Sequence, residues 1–148
     1  MWLAETAVDT PTLELLAQHQ IKFTILAPRQ AKAFKKIGDE AWLPVNENQL
    51  DTSVPYLYKL PSGNSIVLFF YNGVISREVA FNGLLNSGKL FSERLIAAAK
   101  DTDAPQLINI ATDGESYGHH HYRGDMALAS CVDYLTKNKN VQITNYGE

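Results

Sequence analysis

The sequence has one cysteine, Cys131, so no internal disulfide staples the chain. No apolar run approaches the ~18 residues of a membrane span. No block of lysines and arginines occurs, and the net charge is −3, so nucleic acid is not an expected partner. Residues 1–20 carry carboxylates and lack the basic start of a secretory leader. No membrane partner is therefore expected, and the cytoplasm is the expected location. There is no P-loop, no G-x-G-x-x-G and no H-E-x-x-H, and the central Ser-Tyr of Gly114–Gly118 is not read as a nucleophile elbow. What remains is 148 residues, 45% hydrophobic and 20% charged, the balance of an ordinary globular domain with one sizeable core.

The pattern along the chain alternates. Thr10-Pro11 reads as the cap and first residue of a helix running to about His19, with Leu13, Leu16 and Ala17 on one face. Ile21 to Leu26 reads as a strand, Gln30 to Lys36 as a short basic helix ended by Gly38, and 39–54 as a surface loop. Pro61-Ser62-Gly63-Asn64 separates two apolar runs, Pro55–Leu60 and Ser65–Tyr71, and predicts a β-hairpin. Its second arm lacks polar alternation and is expected to be covered on both faces. Helices are expected at about 76–84, 90–100 and 124–138, the last with Leu128, Val132 and Leu135 on its buried stripe. Strands are expected at Leu107–Ala111 and Val141–Thr144. Cys131 falls on the apolar helix face and reads as a packing thiol.

Strands separated by helices imply a mostly parallel α/β sheet in a single domain over 1–148. Trp2-Leu3-Ala4 reads as the tail of a strand, and Thr144–Glu148 stops where a helix should follow. The expectation is a fragment of a larger domain, truncated at both ends. In parallel α/β folds, function gathers at the carboxyl ends of strands. That rule puts Glu5, Arg29, Gln30, Asn72, Asp113, Asn145 and Tyr146 on one rim.

The densest stretch is ATDGESYGHHH, residues 111–121. Asp113-Gly114 has a plain reading as turn chemistry, and Glu115 as a first-turn carboxylate facing a helix dipole. Three consecutive histidines, His119, His120 and His121, cannot all point at one metal from regular structure, so no metal is expected. One or two imidazoles facing a pocket and hydrogen-bonding a polar ligand is the better reading. Trp2, Trp42, Tyr71 and Tyr117 read as packing residues, though at a rim such rings also stack on sugars.

Two segments together resemble a known family. Trp2-Leu3-Ala4-Glu5 resembles the W-L-x-E block of family 57 glycoside hydrolases, and Asp113-Gly114-Glu115-Ser116-Tyr117-Gly118 resembles its D-G-E-(K/S)-(F/Y)-G block. They stand in the right order and at a plausible separation. The phrases WLAETAVD, IKFTILAP, LLNSG, ATDGESYGHHH and TNYGE resemble an uncharacterised bacterial branch of that family, over nearly the whole chain.

The resemblance implies an α/β fold: part of an incomplete (β/α)7 barrel, mostly parallel, with helices outside and one β-hairpin. It implies a retaining hydrolase or glucanotransferase acting on α-linked glucan, without a cofactor. Glu5 would be the nucleophile and Asp113 the general acid/base, their carboxyls about 5–5.5 Å apart. Asp113 would have to stay protonated near neutrality through burial or the Glu5 and Glu115 charges. Trp2, Tyr71, Glu115, Tyr117, His119, His120 and His121 would bind or surround the glycan. The family's early His-Gln-Pro segment, its second block and its late block are absent, so the resemblance gives no assurance of activity for the 148-residue chain alone. A partial barrel leaves open edges and missing segments, which predicts self-association, association with another chain, or low stability. Two other readings stand beside it: a non-catalytic carbohydrate-binding module, and a metal-dependent deacetylase-like hydrolase using Asp113 and His119–His121.

Overall fold

A computed structural model describes all residues, Met1–Glu148. The chain forms two compact units, Met1–Gly73 and Val74–Glu148.

The first unit is built on a three-stranded mixed sheet. Strand β1 (Phe23–Leu26) runs parallel to β5 (Ser65–Phe70), with Phe23 opposite Val67 and Leu26 opposite Phe70. Strand β4 (Tyr56–Lys59) pairs antiparallel with β5 as the first arm of the expected hairpin. Its turn closes through Leu60 N–H to Asn64 O (2.9 Å) and Gly63 N–H to Leu60 O (3.0 Å). Gly63 sits at φ 88°, where a side chain would be strained. On the far side of β1, Trp2 makes a single parallel bridge to Ile25. The segment lies along β1 through this bridge, further held by Thr24 Oγ1–H to Met1 O (2.9 Å).

Helix α1 (Thr10–Gln18) starts one residue earlier than the sequence suggests. Asp9 is the cap, accepting from the Thr12 N–H at 2.9 Å, and Pro11 lies inside the first turn. The helix ends with Gln20 at φ 61°, Ile21 N–H bonding Leu16 O and Gln20 N–H bonding Ala17 O. That is a Schellman stop with glutamine where glycine is usual. Leu13 and Leu16 pack with Leu26, Ile66, Leu68 and Phe70 in the core. Alternate β5 residues Ile66, Leu68 and Phe70 are buried while Val67 and Phe69 are only half-buried, so the expectation of two covered faces is corrected.

The expected helix over Gln30–Lys36 is also corrected. A 3-10 turn at Pro28–Gln30 is followed by β2 (Ala33–Phe34), which pairs antiparallel with β3 (Leu43–Pro44) inside the expected loop. Lysine-rich composition offers no helical face here, and Phe34 instead packs against the sheet core, edge-on to Tyr56. The strands are therefore not mostly parallel. β1 with β5 and the Trp2 bridge are parallel, and the other two pairs are antiparallel.

The second unit is helical. Helices α2 (Gly73–Phe81), α3 (Gly88–Ile96) and α4 (Gly124–Thr136), with the 3-10 turn Leu84–Asn86, supply its core: Ile75, Val79, Leu85, Phe91, Ala127 and Cys131. α3 is capped by Ser87, whose Oγ accepts from Leu90 N–H. α3 and α4 approach closely at Gly88, where a Cβ would lie 2.5 Å from the Ser130 Cβ and 2.6 Å from the Ala127 carbonyl. Arg94 joins α3 to α2 by donating from Nε and Nη2 to the two oxygens of the Glu78 carboxylate, at 2.7 and 3.1 Å.

Three expectations for this unit change. Val132 is 41% exposed, because the buried stripe of α4 runs through Gly124, Ala127 and Cys131, rotated from the expected one. Residues 107–111 form no strand; the Ala111 N–H is taken by Ser76 Oγ at 3.1 Å instead of by a neighbouring ladder. Residues 141–144 form no strand either, and the chain closes in a turn with Gly147 N–H on Asn145 Oδ1 (2.8 Å). Cys131 is buried as expected, and burial pushes its thiol up to about 11.

Candidate functional site

The carboxyl ends of three parallel segments in the first unit meet at one edge: the Trp2 bridge, β1 and β5. Glu5 lies just beyond the first of them. Its backbone is left-handed, φ 57° and ψ 8°, and Thr6 follows at φ 48°. Two consecutive non-glycine residues in that region cost on the order of 1–3 kcal/mol each, so the surroundings must fix them. They do. Thr6 N–H bonds Leu3 O at 3.1 Å, and Ala27 N–H, at the end of β1, bonds Thr6 O at 3.0 Å. Thr6 is 6% exposed, and its hydroxyl reaches Glu5 O at 2.7 Å and lies 3.5 Å from the Tyr71 hydroxyl. The buried threonine is the anchor, and the glutamate side chain is turned out to solvent.

Trp2 is 52% exposed on the same segment, and Tyr71 is half-buried at the end of β5. Gln30, after β1, accepts from the Val8 N–H at 3.3 Å and so braces the segment between the Glu5 turn and α1. Glu5, Arg29, Gln30 and Asn72 do follow the Trp2 bridge, β1 and β5, as expected. Asp113, Asn145 and Tyr146 do not, because the segments before them are not strands.

Asp113 opens the 3-10 turn Gly114–Tyr117 of the second unit. Its carbonyl accepts from Ser116 N–H (3.0 Å), and the Glu115 carbonyl accepts from both His119 and His120 N–H at 3.0 Å. Gly114 does not supply a positive φ, so the plain turn reading of Asp-Gly loses its reason. The letters Gly114-Glu115-Ser116-Tyr117-Gly118 fit G-x-S-x-G. Ser116, however, is 3% exposed in a 3-10 turn with no strand before it, which is not the geometry of a nucleophile elbow. Gly124, first residue of α4, presses on this turn: a Cβ there would stand 3.0 Å from Ser116 O and 3.1 Å from the Tyr117 Cα. Tyr117 is tied back by its hydroxyl to Thr112 Oγ1 at 2.8 Å.

The histidines divide. His121 Nε2–H donates to the Ala80 carbonyl at 2.8 Å. That carbonyl belongs to the last turn of α2 and has no partner within the helix, so His121 acts as a side-chain cap at the end where the dipole favours it. His120 Nε2 stands 3.4 Å from Glu115 Oε2, both largely exposed, and the His119 ring meets His120 edge-on at 4.9 Å. No three His, Cys, Asp or Glu side chains converge to hold a metal ion. The metal-dependent hydrolase reading therefore lacks its donor set.

Asp113 is exposed, not buried as one expectation had it. It does line an open cleft of about 340 Å³ with Ala80, Phe81, Ser116, His120 and His121. Of the expected residues this cleft gathers Asp113, His120 and His121. Glu115 and Tyr117 flank it on the same turn. Ala80 and Phe81 were not anticipated, since an apolar pair at a helix end reads as core. Tyr146, buried enough to push its hydroxyl up, donates to Asn109 Oδ1 at 2.9 Å and plays a structural part.

The family model described as glycosyl hydrolase family 57 matches residues 1–148, which include both carboxylate blocks. The chain belongs to glycosyl hydrolase family 57. Two solved structures resemble it. One is a 4-alpha-glucanotransferase from Thermococcus litoralis, at a TM-score of 0.69 and 17% identity, covering 99% of this chain and 21% of that one. The other is an exo-type maltose-forming amylase from Pyrococcus sp. ST04, at 0.70 and 22% identity, covering 99% and 23%. At these identities the likeness establishes the fold alone, a mixed α/β arrangement like that of the family 57 catalytic domain. The chain spans about a fifth of the length of both structures. No curated protein matches the sequence. No helix is long and apolar enough to cross a membrane.

Proposed function

We propose that the chain is part of a family 57 catalytic barrel, an incomplete (β/α)7 barrel, that acts on α-linked glucan by a retaining two-carboxylate mechanism. The observation that carries this reading is the family match over residues 1–148 with the two blocks Trp2–Glu5 and Asp113–Gly118 in order. The two structural neighbours, a glucanotransferase and a maltose-forming amylase, support the substrate class.

In this mechanism Asp113 donates its proton to the glycosidic oxygen while the Glu5 carboxylate attacks the anomeric carbon. The carbon–oxygen bond to the leaving sugar breaks, and an ester forms on Glu5. Asp113, now ionised, takes a proton from water, or from the hydroxyl of an acceptor sugar, as that oxygen displaces Glu5. The chemistry needs the two carboxyls about 5–5.5 Å apart around one sugar ring. Glu5 suits the nucleophile's part because a fixed, strained turn limits where its side chain starts from. Asp113 is exposed, and arriving substrate removes water from around it. Trp2, Tyr71, Glu115, Tyr117, His119, His120 and His121 line or flank the two loops as glycan contacts. The outer edge of β4 carries no strand, and self-association through it is part of the same proposal.

A trapping experiment tests this without demanding fast turnover. A 5-fluoro-α-glucosyl fluoride should leave a glycosyl adduct on the tryptic peptide Met1–Lys22. The adduct should vanish in Glu5→Gln and survive in Asp113→Asn, because fluoride departs without an acid. On maltooligosaccharides, Asp113→Asn should lose about 10²–10⁴-fold in turnover. An adduct on another peptide, or full turnover in both variants, would sink the assignment. A non-catalytic glycan-binding role predicts instead no adduct and unaltered binding in both variants.

A further inference from the structure

We propose that the cleft beside Asp113 is a subsite for a single neutral pyranose unit, with Phe81 as its stacking platform. The identity of the ligand rests on the glycosidase reading; the subsite itself rests on the geometry of the second unit.

Phe81 is the last residue of α2 and is 81% exposed. The helix does not need it for packing: Ile75 and Val79, four residues apart on the inward face, are 0% exposed and fill the core. A bare phenyl ring at the mouth of a cleft forgoes the hydrophobic gain that burial gives, which makes it more informative than a scattered surface leucine. The other walls are polar. Asp113, Ser116, His120 and His121 line the same cleft. An apolar ring facing a carboxylate and imidazoles matches a pyranose. One face of such a sugar presents C–H groups, with partial positive charge, to the negative face of an aromatic ring. Its edge presents hydroxyls that both donate and accept, which suits an acceptor-only carboxylate and a ring nitrogen. An anionic ligand would meet Asp113 with no lysine or arginine in the lining. The carboxylate and imidazoles of the lining do not converge as a set of three that could hold a metal cation. The volume, about 340 Å³, lies at the small end of ligand sites, which run from about 300 to 1,000 Å³.

The cleft is also fixed in advance. Because Ala80 O can only accept, His121 donates its Nε2–H in that bond. The bond pins the end of α2, and with it Phe81, to the loop bearing Asp113. Gly124 packs the other side of that loop against α4. A site held this way loses less freedom on binding.

The test is a titration of the 148-residue chain with maltotriose, read by saturation transfer and by shifts of the Phe81 ring protons. Wild type should bind with Phe81 in contact. Phe81→Ala should weaken binding about three- to tenfold at unchanged melting temperature, and Phe81→Trp should restore it. Unchanged affinity in Phe81→Ala, contacts confined to other residues, or no binding by the wild type would each overturn the subsite. The trapping experiment separates the two claims. Phe81-dependent binding without a Glu5 adduct keeps the subsite and removes the glycosidase. A Glu5 adduct with Phe81-independent binding does the reverse.

Discussion

The turn bearing Glu5 and the turn bearing Asp113 are both 3-10 segments, yet they are held by different means. The first is strained and stitched by backbone hydrogen bonds to the end of β1, with Thr6 as its buried anchor. The second has no left-handed residue between Asp113 and Tyr122. It is positioned by what packs on it: Gly124 beneath the turn, and His121 reaching α2. One loop is shaped by its own backbone, the other by its neighbours. A nucleophile must be aimed at one carbon, whereas an acid/base serves an oxygen that changes partner between the two steps. The proposed roles fit that division.

The contrast can be broken most forcefully through the helical core. Phe91 is 1% exposed, and Phe91→Ala should cost about 3–5 kcal/mol by urea denaturation. Amide protection at Ser116, His119 and His120 should fall with it. If those amides kept full protection, the turn would not depend on packing as argued. The backbone half of the contrast is sharpened by a paired substitution. Glu5→Gly should stabilise the chain by about 1–2 kcal/mol, since glycine enters the left-handed region freely, while Glu5→Ala should not. At Gly114, where φ is not positive and an added Cβ would meet nothing within 4 Å, the sign reverses. There Gly114→Ala should gain about 0.4–1 kcal/mol by restricting the unfolded chain. Equal responses at the two positions would erase the distinction.

The last expected effect is a slope rather than a step. Burial raises the Cys131 thiol from 9.0 to about 11. Between those values the unfolded chain has lost the proton and the folded chain keeps it. Its contribution is complete below pH 9 and declines as pH rises toward 11. Stability measured across that window should fall more steeply in wild type than in Cys131→Ala. Parallel slopes would show the thiol to be solvated.

Much of the fold could be read in advance where local chemistry was decisive. Pro61-Ser62-Gly63-Asn64 set the hairpin, and the Asp9–Pro11 region set the start of α1. Leu107–Ala111 failed because an apolar run names a candidate strand but not the neighbour it must pair with. Gln30–Lys36 failed because three lysines near Phe34 carry no information about a two-residue ribbon. Val132 fell off the buried stripe because the close approach at Gly88 rotates α4, a tertiary fact. At the site, the motif letters led to Glu5 and Asp113. Nothing in the letters marked the left-handed backbone at Glu5, where a charged residue takes a conformation more typical of glycine or asparagine. Phe81 was invisible for a related reason: an aromatic at a helix end looks like core until its accessibility is known.

The tie from His121 to the Ala80 carbonyl joins residues 41 apart in sequence by one imidazole. Helix end and acidic loop are thereby yoked like two jaws on one rivet. The span between the phenyl jaw and the carboxylate jaw is set by a single bond, the one place where the proposed sugar clamp could be loosened without touching either jaw.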